Sequence, residues 1–327
     1  MILIIFALIF LLTMIIGVPI AFILGITSLT YLLFFARIPL EVVGQNLFSG
    51  VNSFVLLAIP FFIMAGELMN RTNITQDLID FSDLLVGRLP GSLAQINIVV
   101  SILFAGLTGA AVADTAAIGS VLIPAMKKEG YSPSYSAAVT TASSIIGPII
   151  PPSIIMVIYG SITGNSIGSL FVAGVVPGIL IGLGLMILAL YYAVKEKHPR
   201  RTTAIPFKKK FKVVKKAILG ILAPVIIIGG ILSGMFTPTE AAAVACAYAF
   251  LIGVLVFKNI TFQDIKESLY NAAIISATIL LIISTAELFG MVLTIERIPT
   301  QIANLLMTYV DSKILFLLII NVFLLFM

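Results

Sequence analysis

From Leu89 to Met126 the chain runs for 38 residues with a single charge, Asp114, near the middle. One spanning helix needs about 20 apolar residues, so this stretch is too long for one pass and short for two. Arg88 flanks one end and Lys127-Lys128 the other, and the centre, Phe104 to Gly119, is rich in Gly, Ala and Thr. The pattern predicts a re-entrant hairpin over residues 91–126: a leg, a small-residue turn at membrane depth, and a second leg. Non-helical backbone is tolerated at that depth only when buried in protein or lining a wet cavity. A lone carboxylate there is by default a candidate functional group.

The remaining pattern predicts an all-α polytopic membrane protein. Residues 1–36 are apolar but broken by Gly17-Val18-Pro19, which leaves one long kinked helix or two short ones. Ser53 to Met69 makes a span that contains Glu67 and ends at Arg71. Residues 75–88 alternate acids with Leu78, Ile79, Phe81, Leu84 and Leu85, the signature of an interfacial amphipathic arm. Residues 131–194 carry no charge and fit two spans divided near Thr163-Gly164-Asn165. The first, 134–162, is interrupted by Gly147-Pro148-Ile149-Ile150-Pro151-Pro152-Ser153. Each proline removes a backbone donor and clashes with the preceding turn, so three in five residues predict a broken helix with freed carbonyls. Beyond lie spans at 217–234 and 239–257, an amphipathic stretch at 261–270, a span at 271–293, a polar segment at 297–312 and an apolar end at 314–327.

Composition sharpens this picture. The chain is 60% hydrophobic and 10% charged with a mean hydropathy of +1.20, against about 25% charged in soluble domains. Its single cysteine, Cys246, excludes a disulfide framework and a cysteine-based metal site. Residues 1–16 lack the basic start and small-residue cleavage site of a signal peptide. Ten of the 19 basic residues lie between Lys195 and Lys216. Positive charge marks cytoplasmic loops, so 195–216 is expected in the cytoplasm and the hairpin is expected to enter from that side. Nothing accompanies the basic run to suggest nucleic-acid binding.

An internal repeat is visible. Ala65-Gly66-Glu67-Leu68-Met69 resembles Thr285-Ala286-Glu287-Leu288-Phe289, and Asn97 and Asn321 follow at similar distances in apolar legs. The two copies run in opposite directions, an arrangement common in secondary transporters. On this reading 1–194 is a first repeat with scaffold helices, arm, hairpin and broken helix. Residues 217–327 are an incomplete second repeat that stops in the first leg of a second hairpin.

Two segments carry candidate chemistry. The turn Thr108-Gly109-Ala110 with Asp114 and Thr115 offers helix-end carbonyls for a small hard cation and helix-start amides for an anion. The same residues would otherwise serve as close helix packing, with Asp114 as a cap on the second leg. The break from Ser143-Ser144 through Gly147, Pro148 and Pro151 to Ser153 offers hydroxyls and carbonyls to the same place. Asn97 is a ligand or an interhelical hydrogen-bonding group. Glu67 is expected at the interface beside Arg71, His198 in solvent, and Glu240 in a capping box begun by Thr237 and Pro238. No Gly-x-Ser-x-Gly, His-Glu-x-x-His or phosphate loop is present, so no enzyme is indicated.

Ala58 to Glu67, Leu89 to Ala94, Ala111-Val112-Ala113-Asp114-Thr115, Gly147 to Ser153 and Phe236 to Ala243 together resemble the large membrane subunit of tripartite ATP-independent periplasmic (TRAP) transporters. The resemblance covers essentially the whole chain. It implies an elevator-type ion transporter of the bacterial inner membrane, with inverted repeats and ions held at hairpin tips and broken helices. Here those match Ser101 to Thr115 and Ser143 to Ser153. It implies sodium as the coupling ion, no other cofactor, and symport of an organic acid of the dicarboxylate or sialic acid type. It also implies a small (Q-type) membrane subunit, a periplasmic solute-binding protein and surrounding membrane lipid as partners. Members of that family continue through a second hairpin tip and second broken helix, so the expectation is that the chain as given inserts but does not transport alone. The alternative is a truncated, non-transporting membrane scaffold.

Overall fold

The computed structural model describes residues 2–200, 206–310 and 312–326, and within them the side chains of 2–4, 108, 207–209, 305, 307, 309 and 326 are left aside. Residues 201–205 of the expected basic loop lie outside the described residues. Among the described residues there are fifteen α-helices and no strand. Four helices are long and apolar enough to cross a membrane: Ile167–Lys195, Lys210–Leu232, Pro238–Phe257 and Phe262–Ile295. The chain forms two compact units, one of residues 1–52 with 277–327 and one of residues 53–276.

The first unit contains α1 (Ile2–Ile15), α2 (Ile20–Phe34) and α3 (Leu40–Ser49), the later part of α13 (Phe262–Ile295), then α14 (Ile298–Tyr309) and α15 (Lys313–Phe326). Gly17 sits at φ +82° ahead of Pro19, so residues 1–36 form two short helices rather than one. Phe6, Tyr31, Leu32, Val43, Leu288 and Val292 make the core of this unit. The Phe6 ring meets Tyr31 edge-on at 5.8 Å and stacks on Phe289 at 5.2 Å. The Tyr31 hydroxyl donates to the Glu296 carboxylate.

The second unit runs from a 3₁₀ turn at Phe54–Leu57 through α4 (Ala58–Asn70), α5 (Ile74–Val86), α6 (Ser92–Thr108), α7 (Ala111–Lys128), α8 (Pro133–Ser144), α9 (Ile154–Thr163), α10 (Ile167–Lys195), α11 (Phe207–Leu232) and α12 (Pro238–Leu251). A π-helical turn, Ile252–Phe257, and the start of α13 complete it. α4 packs on α12, and Ala58 and Ala65 of α4 are buried, as are Ala241, Ala242, Ala245 and Ala249 of α12. Small residues let two apolar helices approach closely where no hydrophobic drive separates them from lipid. On α5, Ile74, Leu78 and Ile79 are buried and Gln76 and Asp80 exposed, while the pattern read at 75–88 is reversed at two positions, with Asp77 buried and Leu85 exposed.

The stretches read separately at 261–270 and 271–293 form one helix, because Thr261 and Asp264 cap one another (Asp264 Oδ2 accepts from Thr261 N at 2.9 Å) and neither Gly nor Pro interrupts the helix before Gly290. Arg71 pairs with Asp264 at 2.8 Å and Glu267 at 3.0 Å, a contact from a distant segment that local spacing does not reveal. One reading requires correction. His198 is not solvated: its side chain is 5% exposed and its Nε2 lies 3.0 Å from Glu196. Its ring packs against Tyr131 at 4.2 Å and Tyr135 at 4.9 Å. Burying the apolar body of the imidazole against two phenol rings, with Glu196 meeting its Nε2, outweighs the pull of solvent.

Candidate functional site

The hairpin is built by two residues. Gly109, at φ +60°, ends α6 by turning left-handed while its N–H still reaches the Ala105 carbonyl at 3.2 Å. That conformation costs an L residue with a side chain about 1–2 kcal/mol, which is why glycine occupies it. Ala110 then takes an extended conformation and α7 begins, with Asp114 N donating to the Ala110 carbonyl at 3.1 Å. Ala110, not Asp114, therefore holds the cap position of the second leg. Asp114 sits one turn in, fully buried, where a negative charge is favoured by the helix dipole.

The broken helix follows from its prolines. In an α-helix the Gly147 and Pro148 carbonyls would accept from residues 151 and 152, and both are prolines. Backbone bonding tightens instead: Ile146 N donates to Ser143 O at 3.1 Å, and Gly147 N to Ser144 O at 3.0 Å. Ser153 repairs the far side. Its Oγ donates to the Pro148 carbonyl at 2.5 Å and accepts from Met156 N at 3.3 Å as the N-cap of α9. The Pro151–Pro152 peptide is cis.

Hairpin tip and helix break meet. A Cβ placed on Gly109 would lie 2.5 Å from the Pro152 carbonyl oxygen, 3.2 Å from Ser153 Cα and 3.3 Å from Ile154 N. A Cβ on Gly147 would strike Asp114 Oδ2. The C-terminal end of α6 thus abuts the N-terminal end of α9, and the Asp114 carboxylate abuts the break.

Below this contact a buried polar network joins α6 to α8. Asn97 Nδ2 donates to Thr140 Oγ1 at 2.7 Å, Asn97 Oδ1 accepts from Ser143 Oγ at 3.1 Å, and Ser101 Oγ lies 2.9 Å from Ser143 Oγ. Ser144 Oγ donates to Thr140 O at 2.7 Å. Asn97, Ser101, Thr140 and Ser143 are all fully buried. An amide and three hydroxyls at that depth hold two helices in one register, since each group left unpaired would cost about 1–3 kcal/mol.

The structure therefore brings together Asn97, Ser101, Gly109, Asp114, Ser143, Ser144, Gly147 and Ser153. Pro148 and Pro151 shape the break, and Ala110 shapes the turn. The side chain of Thr108 lies outside the described residues. Thr115 is half-buried and its hydroxyl donates back to Ala111 O at 2.9 Å within its own helix. Asn321 is exposed and bonds the Leu317 carbonyl of its own helix at 2.8 Å, so it has no network like that of Asn97. Sequence reasoning missed Thr140 and Ser136. Their spacing with Ser132, Ser143 and Ser144 puts hydroxyls at i, i+4 and i+7 or i+8 along one face of α8, a stripe that was present to be read.

Such a site offers hydroxyl, amide and carbonyl oxygens with one carboxylate. Among the described residues no group of three or more His, Cys, Asp or Glu side chains is placed to hold a metal ion. The donor set suits a small, weakly charged hard cation rather than a transition metal. The starts of α7 and α9 add positively polarised amides for an anion.

Long apolar helices, a helical hairpin and a proline-broken helix packed tip to break define a polytopic α-helical membrane protein with the build of a secondary transporter. The chain belongs to the family described as tripartite ATP-independent periplasmic transporter, DctM component, whose model matches residues 7–327. It is 38% identical over 311 residues to the sialic acid TRAP transporter large permease protein SiaM of Vibrio cholerae, covering 95% of this chain and 73% of that protein. It is 37% identical to the C4-dicarboxylate TRAP transporter large permease protein DctM of Rhodobacter capsulatus, covering 95% of this chain and 74% of that one. Against the sialic acid TRAP transporter permease protein SiaT of Haemophilus influenzae it is 38% identical, over 98% of this chain but 52% of that protein. It is a multi-pass inner-membrane protein of a transporter family, not an enzyme.

Proposed function

We propose that the chain is the large permease subunit of a sodium-coupled TRAP transporter that imports an organic acid. The observation that carries this reading is the seating of Gly109 against Pro152 and Ser153, with the buried Asn97, Ser101 and Ser143 network beneath it. Sodium is held by hydroxyl, amide and carbonyl oxygens around Asn97, Ser101, Asp114, Ser143 and Gly147. The acid's carboxylate is met by amides at the starts of α7 and α9, since no Lys or Arg lies between Leu89 and Met126 or between Tyr131 and Val194. The relatives are named for sialic acid and C4-dicarboxylates, both carboxylates. All the site residues fall inside the compact unit of residues 53–276, so ion and substrate would travel with that unit in an elevator motion. Partners are a small permease subunit and a periplasmic solute-binding protein, and the basic segment 195–216 faces the cytoplasm.

The test is uptake into proteoliposomes that hold this chain with its small subunit, with the binding protein outside. An inward sodium gradient should drive accumulation of the acid, and replacing sodium by choline should abolish it. Accumulation that is indifferent to sodium would overturn the coupling-ion assignment.

A further inference from the structure

On the back of the site helix α8 lies an apolar cavity of about 430 Å³, open along one side and walled by α8 and α10 with Ile98 of α6 at its floor. The helix has two faces. Thr140 and Ser143 look toward the polar network. Tyr135, Ala138 and Ala142 line the cavity from α8, opposite Leu188 and Tyr192 of α10. The cavity's two tyrosines lie 5.7 Å apart at one end, the place where amphipathic rings sit at a headgroup boundary.

Charge marks the same end. Lys195 follows Tyr192 by three residues and Leu188 by seven, so it continues the cavity-lining face of α10 one turn further on. Lys197 and Arg200 come next, and all three are exposed. Glu129, with Asp83 beside it, lies on the α8 side, and Glu196 is paired with the buried His198. The three cations therefore stand at the α10 side of the mouth, and an anionic headgroup complements them where a neutral one does not.

We propose that this groove holds one anionic phospholipid, an acyl chain between α8 and α10 and the phosphate against Lys195, Lys197 and Arg200. The lipid buttresses α8 from behind and steadies the register in which Thr140 and Ser143 meet Asn97.

Native mass spectrometry of the purified chain, offered phosphatidylglycerol or phosphatidylcholine of identical chains, tests this. Wild type should retain phosphatidylglycerol in preference. Lys195→Gln, Lys197→Gln and Arg200→Gln should each reduce that retention about fivefold, from the usual worth of a basic residue at an anionic surface. Ala142→Phe should fill the groove and abolish retention of both lipids, and Leu188→Ser, at a half-exposed position, should weaken both without threatening the fold. Equal retention of the two lipids by wild type would overturn the proposal. So would wild-type binding in either groove variant. Loss of small-subunit co-purification in Ala142→Phe with lipid retention unchanged would also overturn it, making the groove a subunit interface.

Discussion

Two glycines separate the strain of a backbone from the crowding of a site. Gly109 sits at φ +60° against Pro152 and Ser153, whereas Gly164 sits at φ +71° with nothing within 4 Å of a Cβ. Gly164→Ala meets only the left-handed penalty of about 1–2 kcal/mol. Gly109→Ala meets that penalty and also drives a methyl to 2.5 Å from the Pro152 carbonyl oxygen, where overpacking adds about 1–3 kcal/mol. The excess of Gly109→Ala over Gly164→Ala is then about 1–3 kcal/mol, or roughly 2–12 °C in melting temperature at the usual 2–4 °C per kcal/mol for bodies of this size. Thermal unfolding of both variants in detergent, followed by tryptophan-independent circular dichroism, measures it. Equal drops in the two would mean that hairpin tip and helix break are not in contact, and the site would lose its geometry.

Other consequences follow from single contacts. Asn97→Ala removes two bonds, while Thr140 keeps the Ser136 carbonyl and Ser143 keeps Ser101, so at about 0.5–1.5 kcal/mol per bond it should cost about 1–3 kcal/mol and raise the sodium concentration needed for half-maximal uptake; unchanged sodium dependence would remove Asn97 from the site. Glu240→Ala should lower the melting temperature through the lost Thr237 capping box and leave the sodium dependence of uptake as it was, which the same uptake assay reads. Burial of the Asp77 carboxyl on α5 holds its pKa above the ordinary 3.8 despite Lys216 at 3.5 Å. The unfolded chain then loses that proton first, so stability falls as pH rises from 3.8 through the raised value and levels off above it. Asp77→Asn should flatten that fall in a melting-temperature profile against pH, and an unaltered slope would exclude Asp77 as its source. A cysteine at Thr203→Cys, with Cys246→Ser, should resist an impermeant thiol reagent in intact cells; ready labelling would reverse the proposed orientation.

How far the sequence carried these conclusions depended on distance along the chain. The hairpin turn and the helix break were readable because their causes are local: a glycine between apolar legs, and prolines that deny donors four residues back. The capping box at Thr237 and Glu240 was readable for the same reason. The short helix α3 went unread because Leu40–Ser49, at ten residues, is too short to register as a span. Arg71 with Asp264, and His198 between Tyr131 and Tyr135, were out of reach because each partner comes from another element. Thr140 stands between these cases. Its hydroxyl stripe is local, but its bond to Asn97 depends on how α8 registers against α6, which side-chain packing across the pair decides.

The central claim is that hairpin tip and broken helix form a sodium site. The melting temperature of the purified chain, taken in sodium chloride and in choline chloride at equal ionic strength, tests it most directly. A ligand at 100 times its Kd stabilises the folded state by about 2.7 kcal/mol. The account predicts a rise of several degrees in sodium alone, lost in Asn97→Ala. The same melting temperature in both salts, at sodium concentrations that support uptake, would contradict it.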